Sequence, residues 1–484
     1  MTAAESRQSR WILLAAGTFA MVWAIVRAYI QSITIDEADT YNMFVFRHIY
    51  LAYAANNHVL NSTLMYAAAQ WLGLSQFTVR LPALLGAALY IAAVYRLCRL
   101  LGASLFVQLT VFLCLIFNPF VFDHLVAARG YGMALAFLLW AIVYFAEQYF
   151  RYEKGWLLTA CAVSSACIGM SVDANFAFAF VDFAAMSAIL VAAWHRRPKQ
   201  WFRVLAFCAL PGVAIVAVVS GDALLHRHPE ELVYGAHSLA QTFNGLMASS
   251  LFETRFDFLR PFVFPLVGAT GLLLLLCLTW KRAPSRIAPL GFAVAAIFAA
   301  TVGIHWAAFR MFGLPLPRER TSLFFFPLFM IAAGVLAAVP PPSRVAGYLR
   351  AAFLGSLAFM AVYFLLCLRL NYFEEWRWDK DVQKTYSILT CLNGSSQLTY
   401  VSSTWPYRAA LNFYQIAQPT SMPQLDDIYD PRQTQVYVVD TFHTPDVLQG
   451  KNLKSFYHSP ITDLALYAPP PLADRYAAAA CFRP

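Results

Sequence analysis

The sequence predicts a polytopic α-helical membrane protein that ends in a small mixed α/β domain outside the bilayer. Three observations carry this prediction. The chain of 484 residues is 60% hydrophobic and only 13% charged, whereas soluble domains lie near about 45–50% apolar and about 25% charged. Apolar runs of about 20 residues recur along it, the length that crosses a hydrocarbon core. After Arg369 the composition changes to short stretches rich in Val, Tyr and Thr.

Eleven spans are expected, at 11–32, 79–98, 103–121, 131–149, 156–172, 175–194, 202–220, 261–280, 287–305, 321–339 and 350–370. The first follows Arg7 and Arg10 and is longer than the core of a cleavable leader, so it reads as an uncleaved signal anchor. Basic residues gather in alternate loops: Arg96 and Arg99, Arg196 and Arg197, Lys281 and Arg282, Arg344 and Arg350. That bias places these loops and the N-terminus in the cytoplasm, and eleven spans then put the C-terminus outside. The same distribution accounts for the net charge of +9 without nucleic acid, which would want the basic residues on one soluble face.

The organisation expected is a membrane module over 1–370, with long outer loops at 33–78 and 221–260, and an extracytoplasmic domain over 371–484. Residues 64–73 suit a helix lying on the membrane surface. In the C-terminal domain, 396–403 and 434–441 read as strands and 410–417 as a helix. Seven of the nine cysteines lie in or beside apolar runs and pack as small hydrophobes. Cys391 and Cys481 are disulfide candidates if their domain is extracytoplasmic.

Four stretches on the predicted outer side could carry chemistry. In "SITIDEADTYN" (32–42), Thr34 and Glu37 fit a capping box, with Asp36 and Glu37 in the first turn of a helix. The functional alternative makes Asp36 a general base, with Asp39 three positions on along the same face. In "NNHVLN" (56–61), His58 either bonds a loop carbonyl, meets a phosphate or binds a metal. Arg80, at the outer end of the second span, either snorkels to headgroups or pairs with an acid or phosphate. In "NPFVFDHLVAARGYGMALAF" (118–137), Asp123 and His124 are expected in a short outer loop. Arg129 and Tyr131 there open a helix whose free N–H groups could receive an anion, with glycines allowing close approach. In "LPLPRERTSLFFFPLF" (314–329), Arg318 and Arg320 either clamp a phosphate or pair with Glu319. The histidines and acids at 226–231 match no metal spacing.

The order of these elements resembles polytopic glycosyltransferases of the GT-C superfamily, in the branch of protein O-mannosyltransferases and the lipid A aminoarabinose transferase. The resemblance covers about residues 11–370. It implies an inverting transfer of a sugar from a polyprenyl-phosphate carrier to a glycolipid, glycan or protein acceptor. The location implied is the periplasmic side of a bacterial inner membrane. It makes Asp36 the catalytic aspartate, Glu37 its companion and Asp123 a second acidic position. It matches Arg129 and Tyr131 to an Arg-Gly-Tyr element and Arg320 to the outer end of a late helix; with Arg318 these are the expected donor-phosphate set, and His58, Arg80 and Asp39 are expected to support it. "HVLN" stands here where members commonly carry His-Pro-Pro. Some members hold a divalent cation and others none, so a metal stays open, with His58 its candidate ligand. Two other function classes remain: a lipid-linked glycan polymerase or ligase, and a transporter. Mid-span ionisable residues such as Asp182 would favour the transporter.

Overall fold

A computed structural model of the chain describes all residues except 1–2, 53, 55, 152–155, 227–233, 253, 284, 424, 428–433, 441–447, 460–461 and 483–484. Most of the histidine- and acid-rich stretch at 226–231 therefore lies outside the described residues. The helices in chain order are α1 (Ala3–Ile30), α2 (Ile35–Thr40), α3 (Val59–Leu72), α4 (Gln76–Leu101), α5 (Leu105–Phe117), α6 (Pro119–Val126), α7 (Tyr131–Arg151), α8 (Trp156–Ala174), α9 (Ala179–Arg196) and α10 (Trp201–Val219). They continue with α11 (Gly221–Leu225), α12 (Leu239–Ser250), α13 (Val263–Trp280), α14 (Ala288–Phe312), α15 (Phe325–Ala338), α16 (Arg344–Leu366), α17 (Val382–Ser396), α18 (Trp405–Ala417) and α19 (Pro470–Ala477). The chain divides into two compact units: one of residues 1–25, 51–61 and 82–368, the other of residues 26–50, 62–81 and 369–484.

The first unit is a helical membrane module. Among the described residues, ten helices are long and apolar enough to cross a bilayer, or eleven if α5 and α6 form one span bent by 58°. The bend falls at Asn118-Pro119. Proline cannot continue the helix behind it and forces the preceding residue out of the helical region. Asn118 has ψ 121° and its Oδ1 accepts from Val121 N at 3.0 Å, so it caps a new helix, α6. Asp123 and His124 therefore lie inside a buried helix and not in the short outer loop expected for them. Helix α8 packs between α7 and α10. A Cβ on Gly169 would stand 2.6 Å from Gly212 O, so these two backbones touch with no side chain between them. In lipid, where apolar side chains gain little by leaving their surroundings, such close van der Waals contact is what holds helices together.

The second unit contains a five-stranded sheet in the order β2-β1-β3-β5-β4, formed by Val401–Ser403 (β1), Asp426–Asp427 (β2), Val436–Asp440 (β3), Lys454–His458 (β4) and Leu464–Ala468 (β5). β1 runs parallel to β2 and β3, with α18 in the crossover, while β5 is antiparallel to β3 and β4. The central strand β3 is buried throughout, which suits its Val-rich sequence. The helix expected at 410–417 is the later part of α18. The strand expected at 396–403 shrinks to its last three residues, because α17 runs to Ser396 and ends on Gln397 with φ 46°. Residues 26–50 and 62–81 join this unit through long-range bonds. The Tyr414 hydroxyl accepts from Ile33 N at 2.9 Å and donates to Gln76 Oε1 at 2.5 Å. Asn42 Nδ2 donates to Ala409 O at 2.8 Å.

Cys391 and Cys481 are bonded, with Cα atoms 5.7 Å apart and a sequence separation of 90 residues. A crosslink over a loop of that size limits the unfolded chain by about 4.6 kcal/mol. Reducing the full-length protein, or replacing Cys391 and Cys481 together by Ala, is expected to lower the unfolding temperature of this unit by several degrees in a protease-coupled melt. An unchanged melt would show that the bond constrains nothing.

Candidate active site

In the second unit, Thr34 caps α2 as the capping box requires. Its Oγ1 accepts from Glu37 N at 3.2 Å, and Glu37 Oε2 accepts from Thr34 N at 2.9 Å. The Glu37 carboxylate also receives Arg80, with Nε to Oε1 at 2.8 Å and Nη2 to Oε2 at 2.6 Å. Arg80 gives its other donors to the carbonyls of Ala28 (3.2 Å), Gln31 (2.7 Å) and Ser32 (2.7 Å). All five N–H groups of the guanidinium are thereby satisfied. Both side chains of the pair are fully buried. Arg80 is therefore neither snorkelling nor on a ligand; it ties the end of α1 to the start of α2. Glu37 is thus held by both the cap and the arginine fork.

Asp36, the residue before Glu37, is half-buried, and its Oδ2 accepts from the Trp376 indole N–H at 3.1 Å. Asp39, three residues on, is also half-buried. A fourth carboxylate, not anticipated from the sequence, completes the group. Asp379 is buried, and its Oδ2 accepts from Ile35 N at 2.7 Å. Burial pushes its carboxyl well above the usual carboxylate range, and the charges of Asp36 and Glu37 push the same way against the Ile35 amide and Arg80. The only hint in the sequence was "WRWDK" (376–380), a tryptophan and an acid just past the last apolar run.

A raised carboxyl means that the native state keeps a proton the unfolded chain has released. Stability then falls as pH rises from the ordinary aspartate value of 3.8 through the raised one, and is fully present below 3.8. Asp379→Asn keeps the acceptor for Ile35 N and removes the titration. The variant is expected to match the parent at low pH and to exceed it increasingly as pH rises, read as unfolding temperature against pH. A uniform difference at every pH would mean that the Asp379 carboxyl titrates alike in the folded and the unfolded chain.

In the first unit, a second group forms around the turn before α7. Arg129, 1% exposed, donates to Asn56 Oδ1 through a short bond. Asn61 Nδ2 donates to Ala128 O at 3.0 Å. Gly130 has φ 75°, and a Cβ there would lie 2.1 Å from Ala174 O and 3.2 Å from the His58 Cβ. The close approach that this glycine allows is therefore to the protein's own backbone and not to a ligand. The Tyr131 ring is buried between those of His58 (5.5 Å) and His124 (5.1 Å).

His58 is buried, and burial holds its imidazole well below the usual histidine range; the charges of Arg129 and Arg320 lower it further. His58 thus feels the charge of two of the sequence-predicted arginines, Arg129 and Arg320. Arg318 does not join them. It is exposed and pairs with Glu319 at 3.1 Å, while Arg320 lies 5.5 Å over the Tyr234 ring. Asn56, which holds Arg129, stood unmarked in "NNHVLN". No group of three or more His, Cys, Asp or Glu residues among those described could hold a metal ion.

The chain is similar over nearly its whole length to the crystal structure of ArnT from Cupriavidus metallidurans bound to undecaprenyl phosphate. The two share 12% sequence identity at a TM-score of 0.53, covering 98% of this chain and 99% of that one. The apo structure of the same protein gives 11% identity and a TM-score of 0.52 over 95% and 97%. No protein-family model and no curated protein matches the chain. The likeness is one of fold, and it bears out the GT-C-like architecture that the resemblance implied.

Proposed function

We propose that this protein transfers a sugar from a polyprenyl-phosphate carrier to a glycolipid, glycan or protein acceptor, with inversion at the anomeric carbon. The observation that carries the reading is the whole-chain likeness of fold to a structure bound to undecaprenyl phosphate. Asp36 takes the proton from the acceptor's nucleophile. That nucleophile forms the new bond to C1 as the bond from C1 to the carrier phosphate oxygen breaks. The electron pair leaves on polyprenyl phosphate. Arg320 and Arg129 stabilise the charge that develops there, with His58 neutral beside them. Glu37 and Arg80 hold α2 in place. Asp123, covered within α6, suits a positioning role, as does Tyr131, and Asp39 flanks the base. No step is routed through a metal.

The proposed location is a bacterial inner membrane, with the N-terminus cytoplasmic and the sheet-containing unit periplasmic. The disulfide supports an oxidising side for that unit, and the basic loops support the orientation.

The test compares the glycolipids and glycoproteins of cells with and without the gene by mass spectrometry. A single sugar lost from one acceptor is the expected result. Loss of a long glycan would instead favour a polymerase or ligase. Unchanged products with altered carrier distribution would favour a transporter, the reading that buried Asp173 and Asp182 in the spans invite. In vesicles, Arg320→Gln is expected to slow transfer by about 10²-fold, the effect of losing one charge-assisted contact. Arg318→Gln should leave transfer nearly unchanged. Equal effects of the two would remove Arg320 from the phosphate.

A further inference from the structure

A groove of about 460 Å³ runs between α13, α14, α15 and α16, within the size range of small-molecule sites. Its walls are apolar: Val267, Leu275, Phe292, Phe329, Leu336 and Phe353 line it, and Gly268, Gly271 and Gly291 open it. Polarity is confined to the rim where α13 turns into α14, at Thr279, Arg282 and Ser285. The turn is pinned: Arg282 N donates to Thr279 O at 3.2 Å and Ala283 N to Leu278 O at 3.0 Å, and Arg282 takes φ 47°. The backbone therefore fixes where the Arg282 side chain leaves the turn, at the rim of the groove. Arg282 is exposed and makes no ion pair among the described residues.

We propose that this groove is a binding site for an anionic phospholipid, whose acyl chain fills the apolar walls and whose phosphate meets Arg282. One basic group at the mouth of an apolar slot complements a lipid of this shape and charge. The sugar carrier does not fit as well. The rim lies at the start of α14, and Arg320 follows its end; α14 has 25 residues, a length of about 37 Å at 1.5 Å per residue. A phosphate at Arg282 is thus a bilayer's width from the arginines assigned to the donor, in the opposite leaflet. The site is independent of the transferase reading.

Native mass spectrometry of the detergent-purified full-length protein tests this, with phosphatidylglycerol, phosphatidylethanolamine of the same acyl chains, and undecaprenyl phosphate as probes. Phosphatidylglycerol is expected to be retained about fivefold better than phosphatidylethanolamine, the factor for one basic residue facing an anionic lipid. Arg282→Gln should erase that preference. Gly268→Leu should weaken both phospholipids, since a Cβ at Gly268 meets open space and the larger side chain can enter the groove without moving the backbone. An unfolding temperature close to the parent's would show that this variant is folded. Equal retention of the two phospholipids, no effect of Arg282→Gln, or one-for-one displacement of phosphatidylglycerol by undecaprenyl phosphate would each overturn the assignment.

Discussion

Asp36→Asn is expected to lower sugar transfer by 10²–10⁴-fold, the usual contribution of a positioned general base, while folding and carrier binding stay near those of the parent. The separation follows from the geometry. The amide oxygen of asparagine can still accept from the Trp376 indole, and the capping box belongs to Thr34 and Glu37. The loss of one negative charge in the first turn of α2 costs only about 0.3–1 kcal/mol. Turnover of a mass-tagged donor in proteoliposomes, measured beside undecaprenyl phosphate binding, reads both quantities. Asp39→Asn serves as the control, with a small effect expected. Near-parental turnover by Asp36→Asn would remove Asp36 from the chemistry and with it the proposed mechanism.

Arg80→Ala is expected to lower stability by about 3–5 kcal/mol, because it leaves the Glu37 carboxylate buried without its partner. Three backbone carbonyls, of Ala28, Gln31 and Ser32, would lose their donor at the same time. Arg80→Lys should recover little, since an ammonium has three donors and cannot form the fork that Glu37 receives. The double variant Arg80→Met with Glu37→Met should recover part of the stability, as apolar replacement of a buried pair often does. It should not recover transfer, because α2 loses the carboxylate that closes its cap. Thermal unfolding in detergent, followed by tryptophan emission, measures the series. A loss below about 1 kcal/mol for Arg80→Ala would mean that the pair behaves as an exposed one.

Much of the candidate site was legible because its signals are local. The Thr34–Glu37 box, the helix start at α7 and the disulfide candidates each depend on residue type and short spacing, and each is present. Asn118-Pro119 was also a local signal, a cap followed by proline at the first helical position. It was overridden by the unbroken hydrophobicity on either side, and Asp123 was misplaced into a loop as a result. Asp379 and Asn56 could not be picked out by pattern. Their importance comes from partners, Ile35 N and Arg129, that lie 344 and 73 positions away.

The sequence by itself determined the class of this protein, because apolar length against bilayer thickness is a property of each segment alone. It also marked Asp36 as a candidate base, beside the plainer reading of an acid that favours the start of its helix. Only the tertiary structure decided the fate of the charges. Whether an arginine meets solvent, a phosphate or a glutamate depends on which distant segment fills its fork. Arg80 was claimed by Glu37, 43 positions away, and Arg320 was brought over the Tyr234 ring by the packing of the helices; only Arg318 took the acid beside it in the sequence, Glu319.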